Sequence, residues 1–294
     1  MTAGTEGFLV VDKPHGITSN QVVGKVRKAT GVKKVGHAGT LDPMATGVLV
    51  LAMGKVTRLV RYIQDQAKEY VATALFGVAT DTLDADGAVL SREPMDFEER
   101  DIEAIVPRFV GTISQIPPMV SALKRDGKRL YELAREGRVI EREARQVEVH
   151  DLEILSVGAP PYPEVEFRVV CGKGTYVRSL ADDMAAVLGG QAHLIALRRT
   201  KIGSFGVRDS VTVDDLQNWE SYLMAPAQAL QDLPSVVVDE ETAQGVRNGM
   251  RYLGGPVVSG PVGEPYSVLS ESGDLLAVYT RTGNRAEPEV VLPT

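Results

Sequence analysis

Phe8 to Val11 is an unbroken apolar run ending at Asp12 and the turn Lys13-Pro14-His15-Gly16, the pattern of a short buried strand leaving the core. Ser19 then makes a good N-cap for a helix carrying Val22, Val23 and Val26 on one face, with Gly31 as its stop. A buried strand is predicted at Val48 to Met53, and a short helix after it places Val56, Leu59, Val60 and Ile63 at helical spacing. The period falls to two from Tyr70 to Phe76, where Tyr70, Ala72, Ala74 and Phe76 share one face of a strand. Ile102 to Phe109 returns to a helical face that Gly111 ends, and Ser114 to Met119, containing Pro117 and Pro118, must cross in an extended form.

Residues 124–145 break this pattern. They are densely charged, carry only Leu130, Leu133 and Ala134 as an apolar stripe, and contain Gly127 and Gly137. Such a segment is expected to leave the core and to order against a partner. Sheet resumes at Val147 to Leu155 and in the alternation of Val165, Phe167, Val169 and Cys171. Gly172-Lys173-Gly174-Thr175-Tyr176 breaks that strand, and Leu180, Met184, Val187 and Leu188 mark the inward face of the next helix. Antiparallel-looking strands among irregularly placed helices predict an α+β fold with a mixed, largely antiparallel central sheet. Leu233-Pro234 reads as a linker between a main domain over 1–232 and a small β-barrel-like domain over 235–294. Strand-like runs in the latter are Val257 to Val262, Ser267 to Leu269, Leu275 to Tyr279 and Val290 to Leu292.

At 44% apolar and 24% charged, the 294 residues have the composition of a globular protein. No run approaches the roughly 18 apolar residues of a membrane span, so no membrane partner is expected. Phe8 to Val11 is too short for a signal-peptide core, which makes a cytoplasmic location the expectation. Cys171 is the single cysteine, so no internal disulfide or cysteine-based zinc site is expected, and it reads as a core residue. The net charge of −7 argues against a protein that coats nucleic acid indiscriminately. Its distribution changes the picture. Lys25, Arg27, Lys28, Lys33 and Lys34 form one basic cluster; Lys124, Arg125, Lys128, Arg129, Arg135 and Arg138 a second; Arg198, Arg199 and Lys201 a third. Acidic residues gather between Glu93 and Glu103 and between Asp214 and Glu220, a segregation compatible with a positive channel on an acidic protein.

The candidate chemistry centres on Gly36-His37-Ala38-Gly39-Thr40-Leu41-Asp42-Pro43-Met44-Ala45-Thr46-Gly47, which holds one carboxylate in a stiff, glycine-rich turn before a buried strand. Pro43 fixes its own φ and disfavours the α region at Asp42, the local constraint a reactive carboxylate needs. The same Asp-Pro pair also suits an ordinary Asx-turn. Gly172-Lys173-Gly174-Thr175 lacks the full spacing of a phosphate loop, and neither a His-Glu-x-x-His nor a Gly-x-Ser-x-Gly pattern occurs. Thr80-Asp81-Thr82-Leu83-Asp84-Ala85-Asp86-Gly87 has calcium-loop ingredients without the EF-hand spacing. No cofactor or metal is therefore expected. Carboxylate chemistry remains: Asp42 as nucleophile or proton acceptor, Tyr70 as a stacking ring with a phenol, and Tyr176 and Arg178 at a strand-to-helix junction. Arg178 is of the right type to pair with Asp42 and keep it ionised. A glycosidic hydrolase would need a second acid, with Asp81, Asp84 and Asp86 as candidates, and a purely RNA-binding or RNA-folding protein would use the basic clusters and the terminal domain but leave Asp42 and its arginine without a purpose.

The motifs, taken in order, resemble the bacterial tRNA pseudouridine-55 synthases of the TruB-type pseudouridine synthase family. The resemblance rests on Lys13-Pro14-His15-Gly16-Ile17-Thr18-Ser19, the Gly36-to-Gly47 motif, Lys68-Glu69-Tyr70 and the Thr80-to-Gly87 segment. It continues through Gln115 to Ala122, Lys128 to Gly137, Cys171 to Leu180 and Leu197-Arg198-Arg199-Thr200. It implies the pseudouridine-synthase fold, conversion of uridine to pseudouridine in the tRNA T-loop, and Asp42 as the catalytic aspartate. Tyr70 then stacks on the base, Arg178 pairs with the aspartate, Tyr176 and Leu197 line the uracil pocket, and His37 helps seat flipped-out nucleotides. RNA contacts are expected from His37, Lys13, Lys128, Arg129, Arg198 and Arg199, with 124–145 closing over the T-loop and elbow. The terminal region is similar to an RNA-binding PUA-like domain, with Ala243 to Gly249 near its start, and a monomer needing no protein partner is expected.

Overall fold

The computed structural model describes residues 5–119 and 142–292, together with the backbone of Lys124–Arg125 and Lys128–Arg129. The stripe Leu130, Leu133 and Ala134 lies outside the described residues, as does the expected closure over an RNA loop. The chain forms two compact units. One comprises Met1–Leu41, Val48–Gln64 and Gly203–Thr294, the other Asp42–Gly47 and Asp65–Ile202.

In the first unit, the strand Gly7–Lys13 pairs in parallel with Val211–Thr212, and Val35–His37 pairs antiparallel with Thr46–Met53 through Val35↔Met53 and His37↔Leu51. The helix Ser19–Thr30 buries Val22, Val23 and Val26, as its spacing requires. Its cap is Thr18: the Thr18 hydroxyl accepts from Gln21 N at 3.1 Å while Gln21 Oε1 accepts from Thr18 N at 2.7 Å, a reciprocal capping box. Gly31 ends the helix in the left-handed region, at φ 73°. The expected helix after Met53 is a 3₁₀ turn, Gly54–Leu59, continued by the α-helix Val60–Gln64.

The small C-terminal β unit also belongs here. Ser235–Val238 runs parallel to Pro265–Ser270, and Leu275–Thr282 and Arg285–Val291 add antiparallel to that strand in order. These four strands form an open sheet rather than a closed barrel, with Ala243 and Val246 of the helix Glu240–Arg247 packed on Tyr266, Val268 and Tyr279. Val257, expected in a strand, lies instead in the 3₁₀ turn Pro256–Ser259, where Val257 O accepts from the Tyr266 hydroxyl at 2.6 Å.

The second unit is an antiparallel sheet in the order Ala192–Ile202, Lys68–Phe76, Glu164–Cys171, Arg145–Val157, Gly111–Gln115. Lys68–Phe76 sits among these strands, and its burial alternates strictly, with Tyr70, Ala72, Ala74 and Phe76 inward as their period demands. Lys68 shares that face. The helix Val177–Val187 buries Leu180, Ala181, Met184 and Ala185 and packs on the strand Ala192–Ile202. Thr46 and Gly47 pair in parallel with Arg198 and Arg199 at the edge of this sheet. The observed fold is thus α+β with a separate C-terminal sheet.

Candidate active site

Asp42 stands at the entrance to a tight turn, its carbonyl accepting from Ala45 N at 3.1 Å. The residue before it is fixed from below: the Ser19 hydroxyl accepts from Leu41 N at 2.9 Å and donates to Leu41 O at 3.2 Å. This explains why Ser19 is not the cap. At the end of the turn Gly47 has φ 103°, and a Cβ there would lie 2.2 Å from Arg199 O. Only glycine combines that backbone angle with so close a strand approach.

Arg178 reaches Asp42 from the first turn of the helix Val177–Val187. Its Nη2 lies 2.8 Å from Asp42 Oδ2, its Nη1 lies 3.1 Å from Asp84 Oδ2, and Nη1 also donates to Thr82 O at 2.7 Å. The guanidinium is 2% exposed while the Asp42 side chain is 36% exposed. A buried fork therefore presents a half-open carboxylate, which is the geometry that orients an anion without surrounding it.

Asp84 is the residue the sequence did not single out for this role. In the sequence it stands as one of three aspartates available to a hydrolase and within the Thr80-to-Gly87 segment that carries the resemblance. The Thr82 hydroxyl donates to its Oδ1 at 2.5 Å, Asp86 N donates to the same oxygen at 3.2 Å, and the Thr80 hydroxyl donates to Asp84 O at 2.8 Å. The turn is completed by Leu83, a non-glycine residue at φ 61° whose carbonyl accepts from Leu194 N at 3.1 Å. That left-handed leucine is local strain held in place by the sheet. Burial pushes the Asp84 carboxyl above its ordinary range, against the opposing pull of the Thr82 hydroxyl and Arg178. The hydroxyl pattern Thr80-x-Thr82-x-Asp84 was the available signal.

Tyr70 is buried within reach of the Asp42 charge. Burial raises its phenol above the ordinary value, opposed by the charge and hydrogen bond of Arg199, and the Asp42 charge acts on it as well. Arg199 pairs with Tyr70 across the ladder, Leu197 with Ala72, and Leu197 is buried. Lys68, on the Tyr70 face, is brought down to about 8 by burial and by the Arg199 charge. Tyr176 precedes the Arg178 helix, its main chain held by Gln115. Asp42, Tyr70, Arg178, Leu197 and Tyr176 of the expected set all lie in the second unit, where the ion pair joins Asp42 to Arg178.

Two expected RNA contacts need correction. Lys13 is 0% exposed, and its ammonium donates to Pro14 O at 2.9 Å and Ile17 O at 2.7 Å. Arg199 is 1% exposed and serves Tyr70. Both cations face inward, one on main-chain carbonyls and the other on the Tyr70 phenol, rather than standing exposed. Arg198 is half-buried, with Nη1 3.4 Å from the Thr46 hydroxyl. His37 is half-buried at the end of Val35–His37 in the first unit. Lys128 and Arg129 pair with Arg125 and Lys124 in a short ladder, and their side chains lie outside the described residues.

The profile of the TruB family pseudouridylate synthase N-terminal domain matches residues 27–177, more than half of the chain. The chain belongs to this family. A second profile, the tRNA pseudouridylate synthase B C-terminal domain, matches residues 178–241. Among relatives, the tRNA pseudouridine synthase B of Moorella thermoacetica is 41% identical over 295 residues, covering 96% of this chain and 94% of its own. That of Symbiobacterium thermophilum is 46% identical over 246 residues, covering 83% and 82%. Among solved structures, a Cbf5-Nop10-Gar1 complex contains a chain with 27% identity and a TM-score of 0.77, covering 98% of this chain and 85% of that one. An H/ACA RNP bound to a substrate RNA containing 2'-deoxyuridine gives 25% identity, a TM-score of 0.75 and the same coverage of 98% and 85%. These TruB-family likenesses carry the pseudouridine-synthase fold over nearly the whole chain.

Proposed function

We propose that this TruB-family chain isomerises uridine to pseudouridine at position 55 in the T-loop of tRNA, with Asp42 acting at the sugar of the target nucleotide. The observation that carries the reading is the half-open Asp42 carboxylate on the buried Arg178 fork, at 2.8 Å. A uridine stacked in a folded loop must be flipped out before a carboxylate in such a turn reaches it. The N1–C1′ bond breaks, the freed base rotates, the C5–C1′ bond forms, the C5 proton leaves and N1 gains one. The atoms balance without an external energy source. Tyr70, buried within reach of the Asp42 charge with its phenol proton held firmly, offers its ring to the base, and Leu197 and Tyr176 complete the pocket. Arg198 and His37, with the basic residues of 124–145, meet the RNA, and the C-terminal sheet over 235–294 is its second RNA-binding element.

Among the described residues no helix is long and apolar enough to cross a membrane. The tRNA substrate carries a cytoplasmic location with it. Of the three aspartates open to a hydrolase, Asp84 is engaged by Arg178, Thr82 and Asp86 N, which leaves that reading to Asp81 and Asp86. The test is tritium release from C5-labelled uridine in an unmodified tRNA transcript. Wild type should release label stoichiometrically with the RNA length unchanged, and Asp42→Ala should release none. Tight binding of tRNA without release by wild type would instead leave a non-catalytic tRNA-binding protein.

A further inference from the structure

Tyr176 is the N-cap of the helix Val177–Val187, yet its side chain makes no capping hydrogen bond. Its main chain is held from outside. Gln115 ends the strand Gly111–Gln115 and is 1% exposed. Tyr176 N donates to Gln115 Oε1 at 2.8 Å, and Gln115 Nε2 donates to Tyr176 O at 3.0 Å. The next residue is tied to the same helix, because the Ser179 hydroxyl donates to Ile116 O at 2.9 Å. An amide that engages both the N–H and the C=O of one residue fixes that residue's orientation as well as its position. Arg178 follows within the same helical turn, and its fork onto Asp42 and Asp84 is sensitive to rotation of the helix start.

We propose that Gln115 is a positioning residue for the isomerisation, clamping the Tyr176 main chain and thereby setting Arg178 on Asp42. The inference rests on the isomerase reading. Gln115 is enclosed and both its polar atoms are engaged, so its effect falls on the rate and leaves the hold on tRNA intact. The site requires one donor and one acceptor together. An ionised glutamate offers only acceptors and sets a negative oxygen against Tyr176 O, whereas a protonated one restores the donor. Charged groups on the surrounding elements are Arg145, its ladder partner, Arg142, which donates to Pro117 O, and Arg178.

The experiment compares wild type, Gln115→Ala and Gln115→Glu in single-turnover tritium release, in tRNA binding, and in hydrogen exchange of the Tyr176 peptide without RNA. Gln115→Ala should slow release by about tenfold or more, with Kd within about twofold. Relative to wild type, Gln115→Glu should recover about fivefold or more between about pH 8 and about pH 6, while Gln115→Ala follows the wild-type pH course. Exchange at Tyr176 should accelerate in Gln115→Ala. If Gln115→Ala does not fold, the pH recovery of Gln115→Glu carries the test. A wild-type rate in Gln115→Ala, a loss confined to Kd, or a pH-independent Gln115→Glu defect overturns the proposal. If wild type itself releases no tritium, the isomerase reading fails and takes the proposal with it. Active wild type with unchanged Tyr176 exchange in Gln115→Ala refutes the clamp alone.

Discussion

Arg178→Met keeps the length and apolar bulk of the side chain and removes only the guanidinium. That group is 2% exposed and joins Asp42 at 2.8 Å, Asp84 at 3.1 Å and Thr82 O at 2.7 Å. Removing one partner of a buried ion pair costs about 3–5 kcal/mol, because the remaining charge is left unpaired inside. Here solvent relieves Asp42, at 36% exposure, far better than Asp84, at 7%. If the same energy is lost at the transition state, single-turnover release slows about 150- to 5000-fold. Arg178→Lys keeps the charge without the fork and should fall between Arg178→Met and wild type. The two consequences separate with pH. Burial raises the Asp84 carboxyl, so without its cation the group takes up a proton as the medium acidifies. The stability deficit of Arg178→Met is therefore largest above the folded value and shrinks as pH falls towards the unfolded one. The rate deficit should not shrink, because protonating Asp84 does not re-orient Asp42. Urea unfolding at two pH values and tritium release at saturating tRNA check both. A rate loss below about tenfold, or a defect only in binding, would refute the role given to the fork.

Gly47→Ala places a Cβ 2.2 Å from Arg199 O at φ 103°, and should cost about 2–4 kcal/mol in urea unfolding, together with most activity. A stable, active variant would mean the strand approach is not needed. Asp183 is raised from 3.8 to about 6, first by burial and then by the Asp182 charge, so stability is lost as pH rises across that interval. Asp183→Asn should then stabilise by about 1–2 kcal/mol at neutral pH, after discounting for partial solvent access, and by nothing at about pH 3.5; a gain independent of pH would contradict this. Lys13→Met strands the Pro14 and Ile17 carbonyls and should cost about 2–4 kcal/mol, while leaving the salt slope of tRNA binding unchanged. A slope reduced by about 0.7–0.9 would restore Lys13 as a phosphate contact.

What the sequence made legible is what local chemistry decides. One buried sheet face dictated the alternation of Tyr70, Ala72, Ala74 and Phe76, and Pro43 and Gly47 marked the Asp42 turn because their backbone demands are their own. The helix start is legible in the capping box. Thr18 and Ser19 both carry hydroxyls, but only Thr18 has Gln21 at the reciprocal position, which leaves Ser19 free to hold Leu41. Burial of a charge is a different kind of fact. Lys13 and Arg199 read as surface bases because a sequence displays the cation and hides its partners: the Pro14 and Ile17 carbonyls for one, the Tyr70 phenol for the other.

Asp84 and Gln115 escaped for the same reason from the opposite side. Both fall within segments that carry the family resemblance, Thr80 to Gly87 and Gln115 to Ala122, but neither segment shows what its residue touches. Each is given its place by a residue far along the chain, Arg178 for Asp84 and Tyr176 for Gln115. Both partners fall within three consecutive residues at the start of one helix. That helix start is where the second unit gathers its constraints: a carboxylate behind the guanidinium, an amide across the N-cap, and the Ser179 hydroxyl on Ile116. Asp42 needs none of these for its own turn. Arg178 arrives from that helix start at 2.8 Å, so the placing of the Asp42 carboxylate depends on both sides of the ion pair, the Gly36-to-Gly47 turn and the segment that carries the guanidinium.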